Sequence, residues 1–265
     1  YKRQLYHNLF AYSQSYFARS ELSSHGRPAD AAEIELLAPF PDAVKPEIMD
    51  GTFSFEASDG TGQNREGRLA ALRLLSEAGY VLRNGTLVNA ETGEPFTFEI
   101  LARTRGQERL LLTYANALKG VGIDVRISRV DSAQYERRKQ TFDFDMIPNF
   151  WGASLSPGNE QSFRWGSKAA NTQGSFNLAG VENEAVDAMI AAMLEAKTRE
   201  DFVSAVRALD RVLLSGDYVV PLFYLPDQWV ARWSKLKRPE KTPLYGYQID
   251  TWWADPAEAT GSQNQ

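Results

Sequence analysis

Between residues 96 and 146 the chain changes its hydrophobic period four times, and no other stretch restricts the possible folds so strongly. Phe96, Phe98 and Ile100 alternate with Thr97 and Glu99, the two-residue period of a half-buried strand. Leu110, Leu111, Tyr114, Ala117 and Leu118 then recur at helical spacing, and Gly120 and Gly122 end that stripe. Ile123, Val125 and Ile127 alternate with Asp124 and Arg126. A short polar helix over Ser132–Lys139 leads to Phe142, Phe144 and Met146, which alternate with Asp143 and Asp145. Strand, helix, strand, helix, strand with short connections is the order of parallel pairing through crossover helices. The expected fold class is therefore α/β, a mixed sheet with flanking helices.

The flanks are read against that unit. Residues 3–24 carry Leu5, Leu9, Tyr12, Tyr16 and Phe17 at mixed helical spacing and are expected to be helical. Residues 26–62 are rich in Gly, Pro and Asp, with one short helix expected over Ala29–Leu37 after Pro28. Ala38–Pro46 holds three prolines in nine residues and reads as an extended wrapping segment. Leu69, Leu72 and Leu75 share a helix face that Gly79 stops. Tyr80–Arg83 and Thr86–Val88 flank Asn84-Gly85, a tight hairpin. Residues 148–180 show no clean period and read as a loop of about 30 residues, a length that compact domains seldom keep without a function. Two amphipathic helices follow, on Val186, Met189, Ile190, Met193 and Leu194, then on Phe202, Val206, Leu209 and Leu213. Thr198 and Asp201 are spaced as a capping box before the second of them. Tyr218–Leu225 reads as an apolar strand, residues 228–253 are rich in Trp and Tyr, and the tail from Ala254 is polar and expected to be disordered. The organisation expected is a wrapping segment over 1–62, an α/β lobe over 63–225 and an aromatic return segment over 226–265.

Composition removes several functional classes. The 265 residues are 43% apolar and 24% charged, enough for a packed core. With no cysteine there is no disulfide, thiol nucleophile or thiolate metal site. The balance of 29 basic and 34 acidic residues gives −5, which disfavours a nucleic-acid partner. His7 and His25 lie in no metal-ligand spacing and read as ordinary surface or core histidines. No run of about 18 apolar residues is present, so no membrane span is expected. Neither a metal nor a cofactor is expected. There is no Gly-x-Ser-x-Gly elbow, Walker loop or His-Glu-x-x-His. Asp143 and Asp145 share a strand face opposite Phe144 and Met146 and read as solvent-side charges rather than an acid–base pair. The chain begins at Tyr1 without an export signal, the pattern of a processed protein or of a fragment.

In an open parallel sheet, ligands sit beyond the carboxyl ends of the strands. Ala102–Gly106, Arg129–Ala133 and Pro148–Trp165 leave those ends and should share one edge. The third supplies flat apolar faces from Phe150, Trp151, Phe163 and Trp165. It supplies hydrogen-bonding groups from Asn149, Ser154, Ser156, Asn159 and Gln161, and a carboxylate from Glu160. That mixture suits a ligand with both amide groups and side chains. The competing reading is that the aromatics fasten the loop to the core. Arg103 and Arg105 begin the helix after the first crossover strand. One of them is placed to take a carboxylate or phosphate, or both are solvated.

Several of these segments resemble family 5 of the bacterial solute-binding proteins, which serve dipeptide and oligopeptide ABC transporters. The carriers are Leu-Ala-Ala-Leu-Arg-Leu-Leu-Ser-Glu-Ala-Gly-Tyr over 69–80 and Leu-Lys-Gly-Val-Gly-Ile-Asp-Val over 118–125. Phe-Asp-Phe-Asp-Met over 142–146 precedes Trp-Gly-Ala-Ser-Leu-Ser-Pro over 151–157, and Phe176-Asn177 precedes Val181–Ile190. The ordered set covers about 65 to 225, and the Trp151–Gln161 and Phe17–Pro46 regions are most similar to the YejA-like branch. The resemblance implies a type II periplasmic binding protein lobe: the C-terminal half of a longer, two-lobed protein whose signal peptide lies upstream of this fragment. It implies a periplasmic, non-catalytic component that captures a peptide or peptide-like ligand for an inner-membrane permease and its ATPase. A binder of oligosaccharide on the same fold is the alternative, and a hydrolase is disfavoured. The residues at the strand ends, Arg103, Asn149, Phe150, Trp151, Ser154, Ser156, Asn159, Glu160 and Gln161, are the candidate ligand contacts. In many peptide binders of the family an aspartate stands three residues after the loop tryptophan and pairs with the peptide amine. Ser154 occupies that position, which implies weaker selection for a free N-terminus, with Glu160 as a possible substitute charge.

Overall fold

The computed structural model describes residues 9–55, 64–152, 154–243 and 246–255. In chain order the elements are β1 (Ala11–Tyr12), α1 (Ala31–Leu37), α2 (Pro46–Met49), α3 (Arg65–Glu77), β2 (Tyr80–Arg83), β3 (Thr86–Asn89), β4 (Thr97–Ala102), α4 (Arg105–Lys119), β5 (Asp124–Arg129) and α5 (Ser132–Gln140). They continue with α6 (Glu160–Trp165), α7 (Ser167–Ala170), α8 (Glu184–Glu195), α9 (Arg199–Ser215), β6 (Phe223–Tyr224), β7 (Leu236–Lys237) and β8 (Trp253–Ala254).

The central unit follows the periodicity. β4 and β5 pair in parallel, Thr97 opposite Asp124 through to Ala102 opposite Arg129, with α4 as the crossover. Thr104 and Gln107 close a reciprocal capping box at the start of α4, which sets where the crossover begins. The β2–β3 hairpin turns at Asn84 and Gly85, both at positive φ, the geometry a two-residue turn needs to match strand twist. α3 lays Leu72 and Leu75 on a cluster built from Leu87, Val121 and Ile123, whereas Leu69 stays 58% exposed, away from the stripe expected of it. Gly122 sits in this cluster at φ +85°, and a Cβ there would meet the Leu87 nitrogen at 2.8 Å and the Leu82 Cδ1 at 2.5 Å. Gly122→Ala should therefore destabilise the chain by about 1–3 kcal/mol, read as a lowered midpoint in thermal unfolding.

The larger core is helical. α9 packs along α8 and α1, burying Val206, Leu209, Val212 and Leu213 completely against Val186, Met189 and Val181. Asp30 caps α1 by accepting from the Glu33 N–H at 2.9 Å, which moves its start from the expected Ala29 to Ala31. Thr198 accepts from the Asp201 N–H at 3.1 Å at the start of α9, at the position the capping pattern marks.

Five expectations are corrected. The described part of 3–24 is not a helix but a two-residue strand followed by turns; residues 1–8 lie outside the described residues. The serine-rich stretch bonds instead to Asp210 on α9: Ser15 Oγ donates at 2.8 Å, the Tyr16 N–H at 2.9 Å, and the Ser24 N–H and Oγ at 2.9 and 2.7 Å. These hydroxyls and amides find better partners there than in a helix of their own. The third strand of the parallel unit reduces to a single bridge, Ile100 with Met146. Phe142 takes φ +55°, and the Arg138 guanidinium holds the Asp143 carbonyl and carboxylate, each at 2.9 Å. Asp145 accepts from the Glu99 N–H at 2.8 Å, so a side chain replaces a ladder bond, and Asp143 and Asp145 do not lie on a strand as expected. Residues 148–180 are no unbroken loop, since α6 and α7 lie within them. Of Tyr218–Leu225 only Phe223–Tyr224 pairs, antiparallel to Ala11–Tyr12, because Pro221 and Pro226 remove ladder donors on either side. Ala254 belongs to β8, and the tail from residue 256 lies outside the described residues.

Candidate ligand-binding edge

The carboxyl ends of β4 and β5 fall together, at Ala102 and Arg129, and Met146 pairs alongside in the same direction. The chain leaving each therefore emerges on one edge. Tyr135 on α5 ties the edge together: its ring lies under the Arg103 guanidinium, 5.4 Å from the centroid, and its hydroxyl donates to the Pro148 carbonyl at 3.3 Å. Arg103 thus stands beside the start of the 148–165 stretch, with one nitrogen donating to Glu136 at 3.2 Å. Tyr135 was not among the residues singled out from the sequence; the signal for it was a lone aromatic in an otherwise polar helix.

The candidate residues then separate by burial. Asn149 and Phe150 are exposed, Phe150 at 86%. Trp151 turns inward and stacks on Trp165 at 5.1 Å and 36°, and Trp165 in turn receives the Tyr16 ring edge-on at 5.0 Å. Trp165 is only 2% exposed and belongs to the helical core, so for this ring the fastening reading holds. The Trp151 indole nitrogen is buried and meets no acceptor among the described residues, a cost of about 1–3 kcal/mol for a donor of this kind. Phe163 stays half exposed, and its carbonyl accepts from the Phe176 N–H at 3.1 Å.

The polar members are partly committed to the stretch itself. Ser154 and Ser156 are exposed, and the Ser154 hydroxyl accepts from the Ser156 N–H at 3.0 Å. Asn159 is exposed and precedes α6 without capping it. The Glu160 carboxylate accepts from the Gly158 N–H at 2.9 and 3.0 Å and from the Gln161 amide at 3.1 Å. Burial alone would raise this carboxyl; the bonds from Gly158, from its own N–H and from Gln161, together with Arg164, outweigh it and hold Glu160 below the usual carboxylate range. Gln161 is buried at 3% exposure and is removed from the open face. Arg164 and Arg199 donate to the Gly152 and Leu155 carbonyls at 3.3 and 3.2 Å and pin the backbone. Asn177, fully buried, donates to the Gly166 and Val181 carbonyls at 3.0 and 2.9 Å and accepts from the Val181 N–H at 2.9 Å, so it fixes the return of the segment onto α8. Its role in the Phe176-Asn177 motif is structural. His25, half buried, faces a small cavity with Ile48, Phe53 and Leu214; His7 lies outside the described residues. Among the described residues there is no cluster of potential metal ligands, and no helix is long and apolar enough to cross a membrane.

The sequence profile of the bacterial extracellular solute-binding proteins, family 5 middle region, matches residues 43–173. Over these residues the chain is similar to family 5 of these proteins. It is 55% identical over 250 residues to a putative binding protein of Brucella melitensis, covering 93% of this chain and 41% of the relative. Two relatives come from Agrobacterium fabrum. A probable peptide-binding protein YejA is 42% identical over 96% of this chain and 42% of its own length. A peptidoglycan-binding protein YepA is 43% identical over 92% of this chain and 40% of its own. The oligopeptide-binding protein AppA of Bacillus subtilis, solved with a nonapeptide, superposes with a TM-score of 0.56 at 17% identity, over 92% of this chain and 51% of AppA. The chain thus spans about two fifths of the length of the curated relatives it matches. Its architecture is that of a type II periplasmic binding protein lobe, and its similarity extends to the YejA branch.

Proposed function

We propose that the protein is the substrate-binding component of an ABC importer, capturing peptides or modified peptides in the periplasm and handing them, unchanged, to an inner-membrane permease and its ATPase. The observation that carries this reading is the edge at 149–159, where an exposed aromatic ring, an exposed amide and exposed hydroxyls stand open on a family 5 fold. Ligand contacts made by a second wall as well would favour a closed form through differential affinity. Arg103, Asn149, Phe150, Ser154, Ser156 and Asn159 are the contacts proposed on this side. Trp151 lies behind them, and Glu160 and Gln161 support the turn. A second reading, a ligand of sugar-linked peptides, draws on the relative named as peptidoglycan-binding.

Mass spectrometry of ligand retained through native purification of the gene's full product tests the proposal. Retained peptides support it, retained amino-sugar peptides favour the second reading, and turnover of a retained compound overturns both. Ser154 brings no charge to the position where an aspartate would meet a terminal amine, and the Glu160 carboxylate is already turned onto Gly158. Binding of one peptide and its N-formyl counterpart should then differ by less than about three-fold in calorimetric titration. A charge-assisted bond would instead contribute roughly 1.5–3 kcal/mol, or more than ten-fold.

A further inference from the structure

Trp151 is the residue of the edge whose surroundings fit it least well. Its indole N–H is buried with no acceptor among the described residues, while its ring stacks on Trp165. An indole nitrogen is a donor only, so the group can be satisfied by nothing except an acceptor brought to it. The partner ring is locked in place, buried at 2% exposure and braced by Tyr16. The chain around Trp151 is held by backbone bonds, the nearest from Arg164 to the Gly152 carbonyl at 3.3 Å, and not by packed rings. Phe150 before it projects into solvent, and a Cβ placed on Gly152 after it would meet no atom within 4 Å.

We propose that Trp151 has two positions: stacked on Trp165 in the open edge, and turned outward to donate its indole N–H to an amide carbonyl of a captured ligand. The inference rests on the reading of 149–159 as a ligand edge and deepens it by naming the group that the edge recognises. The stacked position keeps the aromatic contact and leaves a donor unmet; the outward position surrenders the stack and satisfies the donor. A ligand carbonyl interacts only with the second, so it shifts the balance by that difference. A neutral donor selects an acceptor without demanding a charge, and an amide carbonyl is supplied either by a peptide backbone or by the N-acetyl group of an amino sugar.

The test uses the gene's full product labelled with 5-fluorotryptophan, with the Trp151 resonance identified by its loss in Trp151→Phe. That variant keeps a ring able to stack and removes the donor. Without ligand, its unfolding midpoint should lie within about 2 °C of the parent or above it. The probes are tetra-alanine and N,N′-diacetylchitobiose, with binding established separately by the rise in unfolding midpoint. A bound probe should move the Trp151 resonance, and Trp151→Phe should weaken that probe about ten-fold. Movement with tetra-alanine alone assigns the peptide carbonyl, and with the disaccharide alone the N-acetyl group. A ligand-free midpoint lowered by more than about 5 °C overturns the inference, because the indole is then a plain packing group. A bound probe that leaves the Trp151 resonance unmoved overturns it too, while the ligand-binding reading survives. If neither probe binds, the reading of the edge loses its support, and the ligand-free midpoint by itself decides the two-position inference.

Discussion

Arg211→Ala should lower the stability of the folded chain by about 3–5 kcal/mol, the range for removing one member of a buried ion pair. Arg211 lies on α9 with no solvent exposure, and its Nε donates to Glu33 at 2.5 Å. Its other nitrogens donate to the carbonyls of Ile48 and Arg27, the latter at 2.9 Å. One guanidinium thus fastens α1, α2 and the turn before α1 onto the central helix. Its loss leaves the Glu33 carboxylate in the core without a counter-charge and two carbonyls without donors. The unfolding midpoint, followed by circular dichroism, should fall by roughly 10 °C. The exposed i,i+4 pair Arg73–Glu77, at 3.8 Å, is the contrast: Arg73→Ala should change stability by less than about 0.5 kcal/mol. A double replacement, Glu33→Leu with Arg211→Met, should recover part of the loss by removing both charges, and only part, since the Ile48 and Arg27 carbonyls stay unmet. Equal effects from Arg211→Ala and Arg73→Ala would refute the assignment of Arg211 as the clasp of the N-terminal segment.

The second large effect belongs to its neighbour. Asp210→Ala should cost roughly 4 kcal/mol, because the N–H groups of Tyr16 and Ser24 lose their acceptor inside the core, and each unmet donor costs about 1–3 kcal/mol. Burial pushes the Asp210 carboxyl above the usual carboxylate range, against the opposing hydrogen bonds from Ser24, Ser15 and Tyr16. A carboxyl raised on folding binds its proton more tightly in the folded chain than in the unfolded one. Its contribution is therefore complete below the unfolded value of about 3.9 and is lost as pH rises through the folded value. Asp210→Asn has no proton to exchange, so stability measured from pH 4 upward should fall less steeply in that variant than in the parent. The same slope in both would show that Asp210 does not titrate in the folded chain. Tyr16 leans on Trp165, so either substitution should also loosen the stack that holds Trp151.

How far the sequence could be read depended on the distance over which each feature is decided. The Asn84-Gly85 turn is a matter of two local dihedrals, and the hairpin stands where the dipeptide marked it. The β4–α4–β5 unit and the paired helices α8 and α9 are decided by periodic apolar faces and by caps such as Thr104 and Thr198, all within a few residues. Residues 9–24 were misread because their decisive partner, Asp210, is nearly 200 positions away, and hydroxyl-rich sequence satisfies such a partner as readily as it forms a helix. The stretch 142–146 has the alternation of a strand, but Arg138 and Glu99 capture its carbonyls, carboxylates and pairing edge. At the candidate edge, the sequence marked a segment and could not sort its members by burial. Phe150 and Trp151 are adjacent aromatics of like chemistry, and Asn159 and Gln161 are nearby amides.

By itself the chain's pattern of periods, caps and turn residues determined the α/β class, the parallel pairing of β4 with β5 and the edge on which their connections emerge. Local chemistry carries that information, because a two-residue or a helical period is set by the backbone and needs no distant partner. Tertiary structure alone decided that Phe150 faces outward while Trp151 lies on Trp165, that Gln161 is buried, and that Asp210 and Arg211 gather the N-terminal segment. Each of these depends on which surface another part of the chain reaches first, and burial of a side chain is a property of what packs over it.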